Sequence, residues 1–441
     1  MQRLTLMLFT GMICLSTATY ANDLLAVYRL AQTNDPTLQS AKEAHLASIE
    51  ALPQARAQFF PSIQAVTSHT AYDNGGNNAT SIPPGGVTRA HYNQSSYGLN
   101  LTQPVFYYQE WVQLSKASNQ VKQANANYAA AEQDLIVRAV QRYFGVLKAF
   151  DALKFAKAQR KAFAKFLEQT EQRYKVGLIA ITDVQIAKAQ HDNAYAQEIS
   201  AENDLANQKE ILREITGKEI DRYSFLRDEL TLKAPEPQNL ETWVLQALDQ
   251  NLSLQAIEFQ VKSAHDDIKI AQTGHLPTLD VSSSINRVTS TPYTTSTNNA
   301  NLGLQVTLPI FSGGAVSSKT RQAVHTYAKS QKDRETLHRQ TESNTRQSYR
   351  NVLTQISQAD ALKQAIVSNK SALEATEASF NVGTRTIVDV LNAQSSLIQA
   401  EQNYAFARYD YILQSISLKQ AAGTLNPEDI QHINAWLTKE Q

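Results

Sequence analysis

The chain has 441 residues, with 41 basic and 41 acidic side chains, so no excess charge asks for a nucleic acid or an anionic surface as partner. Its 15 glycines and 12 prolines fall well below the usual roughly 7% and 5%. So few breakers in a polar, Ala- and Gln-rich chain point to long helices rather than compact layers.

The N-terminus reads as a signal peptide covering residues 1–21. Arg3 gives the positive start, Leu4 to Leu15 an apolar core too short to span a bilayer, and Thr19-Tyr20-Ala21 a small-x-small cleavage site. The mature chain is then expected to begin at Asn22. Cys14, the only cysteine, lies inside the segment, and Ile13 before it is not the small residue a lipid anchor needs. A mature chain without thiols has no disulfide and no cysteine metal site, and suits an oxidising compartment. No later stretch offers about 20 consecutive apolar residues, so no transmembrane helix is expected.

The rest is written twice. Phe60-Pro61-Ser62-Ile63 matches Leu276-Pro277-Thr278-Leu279, and Gly98-Leu99-Asn100-Leu101 matches Gly303-Leu304-Gln305-Val306. Further on, and at one constant offset, Val176-Gly177 matches Val382-Gly383, Asp183-Val184 matches Asp389-Val390, and Gly217 matches Gly423. The expected division is a first repeat over 22–217, a linker over 218–239, a second repeat over 240–423 and a tail over 424–441. Each repeat reads helix, strand, loop, strand, very long helix, glycine turn, helix.

The strands alternate. Tyr97, Leu99 and Leu101 interleave with Gly98, Asn100 and Thr102, and Leu302, Leu304, Val306 and Leu308 with Asn301, Gly303, Gln305 and Thr307. Leu279, Val281 and Ile285 do the same. One apolar and one polar face fit a soluble sandwich or a barrel that is apolar outside and wet inside. Four strands cannot close a barrel whose minimum is about eight, so the barrel requires an oligomer. Asp73 to Tyr92 and Ser290 to Ala300, rich in Asn, Gly, Pro, Ser and Thr, read as long exposed loops. Pro61, Pro104, Pro277 and Pro309 are expected at strand–helix junctions, where a missing N–H does least damage.

No proline interrupts the helical pattern from about Val105 to Val176, or from Ile310 to Val382 after Gly313-Gly314. Helices of some 70 residues would reach ~105 Å and need partners, as in a coiled coil. After the second turn Val390, Leu397, Tyr404, Tyr411 and Leu418 recur every seven residues, with Ala393, Ala400, Ala407, Gln414 and Ala421 three positions on. The first half has Val184, His191, Glu198, Leu205 and Leu212 there, then Ala187, Ala194, Ala201, Gln208 and Ile215. Gln208 and Gln414 interrupt both stripes at the same point and read as register-setting residues. An ordinary antiparallel bundle accounts for this periodicity equally well.

At the turns, Gly177 and Gly383 suit the left-handed conformation that ends a helix. Thr182 or Asp183, and Asp389, are expected to cap the helices that follow. The apolar run Leu178-Ile179-Ala180-Ile181 suggests either a docking surface or packing against a neighbouring hairpin.

The lines Arg173-Tyr-Lys-Val-Gly-Leu-Ile-Ala-Ile-Thr-Asp-Val184 and Asn381-Val-Gly-Thr-Arg-Thr-Ile-Val-Asp-Val-Leu391 resemble the two hairpin turns of the TolC family of outer-membrane efflux proteins. The resemblance covers essentially the whole mature chain. It implies a mainly α fold with a small β part: a long antiparallel coiled-coil helical barrel, continuous with a homotrimeric 12-stranded outer-membrane β-barrel. It implies partners too, namely a periplasmic adaptor, an inner-membrane pump or ABC exporter, and outer-membrane lipid. By the family pattern Asp389 and Asn392 lie at the gate constriction. Thr182, Asp183, Phe380 and Arg385 lie where a lock between neighbouring hairpins keeps the duct shut. Gly177, Leu178, Ile179, Ala180, Ile181, Gly383 and Thr384 lie in the turns where the adaptor docks. Two positions depart from the pattern. Asn392 replaces a second aspartate, and Phe380 replaces a tyrosine, which removes a hydroxyl hydrogen bond of about 0.5–1.5 kcal/mol. The resulting expectation is a gate held less tightly and less selective for cations.

The nine histidines are dispersed, with no H-E-x-x-H pair, and there is no G-x-S-x-G, P-loop or dinucleotide fingerprint. No catalytic residue, cofactor or metal is therefore expected, nor a nucleic-acid partner. Energy for transport would come from a partner. The expected function is a passive exit duct for tripartite efflux or type I secretion, opened by an iris-like movement of its hairpins. The alternative is a structural or adhesive coiled-coil protein of the surface or periplasm, which leaves the two strand pairs in register with two turns unexplained.

Overall fold

The computed structural model describes residues 23–75, 89–227, 230–291 and 295–438. The expected signal segment lies outside them. Three short helices come first, α1 (Leu24–Asn34), α2 (Pro36–Ile49) and α3 (Ala51–Ala57), then strands β1 (Ser62–Gly75) and β2 (Arg89–Phe106). A long helix α4 (Tyr108–Lys175) and its return α5 (Ile181–Thr216) complete the first half. The second half repeats the plan with α6 (Leu240–Gln250), α7 (Leu252–Gln272), β3 (Thr278–Thr291), β4 (Thr295–Thr307), α8 (Ala315–Asn381) and α9 (Ile387–Ala421). A short α10 (Pro427–Asn434) follows.

The 68 residues of α4 and 67 of α8 each extend about 100 Å. Each is covered below by its hairpin partner, α5 or α9, while α7 lies against both above. The heptad stripes supply the contact. Val184, Ala187, Ala194, Leu205 and Leu212 are buried on α5, as are Val390, Ala400, Ala407, Tyr411 and Leu418 on α9. The two glutamines interrupt the stripes in different ways. Asn351 Nδ2 donates to Gln414 Oε1 at 3.2 Å. The Gln208 amide oxygen instead fills the space beside Gly145, lying 2.9 Å from where a Cβ would stand.

The main core sits at mid-height, not in the sheet. Leu135, Tyr143, Phe144 and Leu147 of α4 pack there with Leu24 of α1, Leu212 of α5 and Tyr409 and Ile412 of α9. Burial of each large apolar side chain stabilises by about 1.5–3 kcal/mol. The linker crosses this core, where Tyr143 Oη donates to Ser224 O at 2.8 Å and accepts from Ser224 N at 3.0 Å. That burial pushes the Tyr143 phenol well above its ordinary range, so it remains a neutral donor. The tail meets the linker at a bridge between Leu226 and Leu437, closed by Thr438 N–H to Phe225 O at 2.8 Å and Arg227 N–H to Trp436 O at 3.1 Å.

The strands form one antiparallel sheet in the order β1-β2-β3-β4. Its register sorts the side chains cleanly. Ile63 faces Leu101, which faces Ser283, which faces Leu302 on one side; Gln64, Asn100, Ser284 and Asn301 form the matching row on the other. No described strand residue is buried, and Leu302 is 78% exposed. Asp280 is the one formal charge on the polar face among the described residues, and Tyr107 Oη donates to it at 2.7 Å.

Two expectations about the strands need correction. The second expected loop is mostly strand and the first is strand at both of its ends: pairing continues to Gly75 with Arg89 and to Ser290 with Thr295. Ladder hydrogen bonds are made by the backbone, so polar Ser, Thr and Asn carry a strand into water as well as apolar residues do. The middles of the two stretches, 76–88 and 292–294, lie outside the described residues. Pro104 is inside β2, not at a junction. It pairs with Asp280 while Phe106 pairs with Leu279, so Val105 is an unopposed bulge residue.

Gly423 ends α9 at φ +73, and a Cβ on it would lie 2.3 Å from the Gln250 carbonyl oxygen. Gly313, at φ +58, faces open space. Gly423→Ala is therefore expected to cost well over ~1 kcal/mol and Gly313→Ala about that or less, read from paired chemical-denaturation curves.

Candidate gate at the hairpin turns

Both turns are built the same way, in matching residues. Gly177 (φ +75) accepts the chain from α4, with Gly177 N–H bonded to Tyr174 O and Leu178 N–H to Arg173 O, each at 2.9 Å. Gly383 (φ +81) follows α8, with Gly383 N–H to Phe380 O at 3.1 Å and Thr384 N–H to Ser379 O at 2.9 Å. A left-handed residue is needed to return both N–H groups to the last helical turn, and glycine adopts it without a Cβ clash.

The helices that leave the turns start differently. In the second, Thr386 is the N-cap, and Asp389 is its reciprocal partner three residues on. Asp389 Oδ2 accepts from Thr386 N–H at 2.9 Å and from Thr386 Oγ1 at 2.8 Å, and Asp389 N–H donates to Thr386 Oγ1 at 3.3 Å. The first helix has Ala180 at the N-cap and no side-chain cap. The expected capping by Thr182 or Asp183 is thus overturned: α5 already begins at Ile181, placing both residues inside its first turn. Asp389 does serve the helix end, but from the third position and not as the cap.

Electrostatics follow from that geometry. The Thr386 backbone N–H, then its hydroxyl, hold the Asp389 carboxyl below the ordinary aspartate range, with a smaller pull from Arg385. Arg385 Nη1 lies 3.9 Å from Asp389 Oδ1, and both groups are solvent-accessible. No ion pair joins Asp183 to Arg385 within the chain. Asn392 is exposed one turn beyond Asp389 on the same side of α9.

The surface of the turns is apolar. Leu178 is 72% exposed and Val382 76%, and Ile181 is also exposed, whereas Ile179 is half-buried. Behind the tips is a second, small core in which Phe163 of α4, Ala194 of α5 and Ile387 and Leu391 of α9 are buried, with Phe166, Phe380 and Val388 packed on it. It joins the two hairpins of one chain.

Arg173, to which the sequence assigned no role, reinforces that joint. Its guanidinium lies over the Phe380 ring at 4.4 Å from the centroid, and its Nη2 donates to Asn381 Oδ1 at 2.9 Å. Phe380 therefore has a partner of its own where a tyrosine hydroxyl was expected. The available signal was the mismatch between repeats, since Ser379 stands where the first half has Arg173. The sequence does not single out Thr386, because its counterpart in the first repeat is Ala180 and the repeat comparison highlights only the matched aspartates.

Comparison with known proteins agrees with this architecture. A family model of outer membrane efflux proteins matches residues 27–218 and 243–424, and the chain belongs to that family. It is 37% identical over 429 residues to the outer membrane protein TolC of Vibrio cholerae, covering 96% of this chain and 95% of that one. It is 27% identical to the alkaline protease secretion protein AprF of Pseudomonas aeruginosa, over 99% and 92% of the two chains. Its fold superposes on the Campylobacter jejuni CmeC outer membrane channel with a TM-score of 0.80 at 18% identity, over 95% and 90% of the chains. The protein is accordingly an outer-membrane channel component. No helix among the described residues is long and apolar enough to cross a membrane.

Thr386→Ala is expected to remove about 0.5–2 kcal/mol from the start of α9, seen as faster amide exchange in its first turn. With its pKa lowered by folding, Asp389 lends stability that is present above the unfolded value of about 3.9 and lost as pH falls through the folded one. Exchange protection there should hold at neutral pH and fade only in acid below that value. A double-mutant cycle of Arg173→Gln with Phe380→Leu should give a coupling of about 0.5–1 kcal/mol in denaturation.

Proposed function

We propose that the protein is the outer-membrane exit duct of tripartite efflux pumps or type I protein secretion, passive and gated at the hairpin turns. The observation that carries this reading is the sheet. A four-stranded sheet with an exposed apolar face, a polar face and unpaired outer edges on β1 and β4 is not stable alone in water. Three copies close those edges into twelve strands, with the apolar face toward lipid and the amide and hydroxyl rows around a wet lumen. Aromatic residues at the sheet's helical end support it. Phe59 packs edge-on to Trp111 at 4.9 Å, and Phe311 is 87% exposed. They suit a girdle at the periplasmic interface.

Below the membrane, the paired hairpins of three chains form the tunnel and its closed end. Asp389 contributes three charges to the constriction, beside Asn392. Thr182, Asp183 and Arg385 act across neighbouring chains as the closed-state lock, and Arg173 with Phe380 holds the two hairpins of one chain together. Gly177, Leu178, Ile179, Ala180, Ile181, Gly383 and Thr384 form the surface where a periplasmic adaptor docks, through their exposed apolar side chains. An inner-membrane pump or ABC exporter supplies the energy. The duct performs no catalysis and uses no cofactor.

A heat-modifiable trimer in detergent extracts of outer-membrane fractions is the expected result, and a soluble monomer would rule the duct out. Deletion should abolish export of a set of dyes, antibiotics or secreted proteins profiled together. In single-channel recording Asn392→Asp should raise cation selectivity by doubling the charge at the constriction. Unchanged reversal potentials would remove Asn392 from the constriction.

A further inference from the structure

The apolar face of the sheet changes character at one row. Starting from the helical end, its rows contain Phe106 with Leu279 and Val306, then Val281 with Leu304, Leu101 with Leu302, and Leu99 with Ile285. The next row places exposed Arg287 opposite Tyr97. Beyond it the same face carries His69, Ser95, Thr289 and Ser296, although β1 and β2 continue to pair as far as Gly75 and Arg89. Side-chain chemistry switches while the backbone ladder does not.

The position of that switch has a physical meaning. From Leu279 to Arg287 the strand rises about 27 Å, or about 21 Å in height at a tilt near 40°. That approaches the apolar band of about 25 Å that such barrels present. A guanidinium facing lipid is costly at the middle of the band and nearly free at its edge. Arg287 therefore stands at headgroup level, at the end of the sheet remote from the helices. Tyr97 beside it has the amphipathic ring that suits this depth.

We propose that Arg287 binds a phosphate of an anionic lipid headgroup in the outer leaflet, an assignment that rests on the trimeric barrel proposed above. The guanidinium offers paired N–H donors that match phosphate oxygens. His69, two strands across and one row up, lies about 10 Å to the side and 7 Å higher, a span within one large glycolipid headgroup. Its Nδ1 is 2.9 Å from Ser95 Oγ, which fixes the ring in the row of hydroxyls. Those hydroxyls suit sugar groups, and the apolar rows below suit acyl chains. Inorganic phosphate shares the oxygens but would leave the apolar rows without a partner.

Native mass spectrometry of the purified trimer tests this, with diphosphoryl lipid A, the same lipid without phosphates, and inorganic phosphate as probes. The wild type should retain up to three copies of the phosphorylated lipid. Arg287→Gln should lower that retention by roughly fivefold or more, with Arg287→Lys between the two because it keeps the charge but loses the fork. Equal retention by Arg287→Gln, or equal retention of the phosphate-free lipid, overturns the proposal. Full displacement by inorganic phosphate at the lipid's own concentration overturns the lipid as ligand. A chain that never forms the heat-modifiable trimer fails the duct reading before lipid is added. A trimer whose lipid binding ignores Arg287 fails this inference alone.

Discussion

Most of the stability of a long helix in a protein comes from packing rather than from propensity, and this chain contains two, of 68 and 67 residues. Everything else in the molecule is arranged to give them neighbours. The return helices α5 and α9 cover their lower parts, α7 lies between their upper parts, and linker and tail cross at mid-height over Tyr143 and Phe144. The apolar side chains are concentrated in that crossing rather than spread evenly. The hairpins below it are held by narrow stripes with many alanines and by the small core behind the turns.

The two halves use one plan for different tasks. The same glycine geometry ends α4 and α8, yet only α9 begins with a reciprocal Thr–Asp cap. The aspartate assigned to the constriction thus also holds its helix start in shape. Thr386 in turn fixes the orientation of the carboxylate. Across the turn, Arg173 lies over Phe380 beside the apolar cluster that joins the hairpins. The two halves share a scaffold and diverge at a few positions, so that only the second hairpin has a capped return helix.

Much of the fold was legible because its signals are long. Seventy residues without proline, seven-residue spacing and alternation over Leu302 to Leu308 each repeat often enough to exceed chance. Strand ends were not legible: Ser, Thr and Asn around positions 73 and 290 look like loop, and backbone pairing leaves no mark on side-chain hydropathy. Caps were legible only in part, since Asp183 and Asp389 occupy matching positions but Thr386 has alanine as its counterpart. The Arg173–Phe380 contact joins residues far apart in sequence on different helices, and no local pattern announces it. Arg287 sat in plain view in an alternating strand, but its meaning depended on which row it shares with Tyr97.

The polar face of the sheet has a consequence for traffic. Among the described residues it presents amides and hydroxyls with a single carboxylate, Asp280, near the helical end and engaged by Tyr107. In the proposed duct a solute that has entered the upper lumen therefore meets a wall with almost no ionic preference. Such a wall neither retains nor rejects by charge, so the mouth of the cell's exit is an indifferent one. Any decision about what leaves is taken about 100 Å lower, before the cargo is committed, and the final stage is simple dilution into the outside.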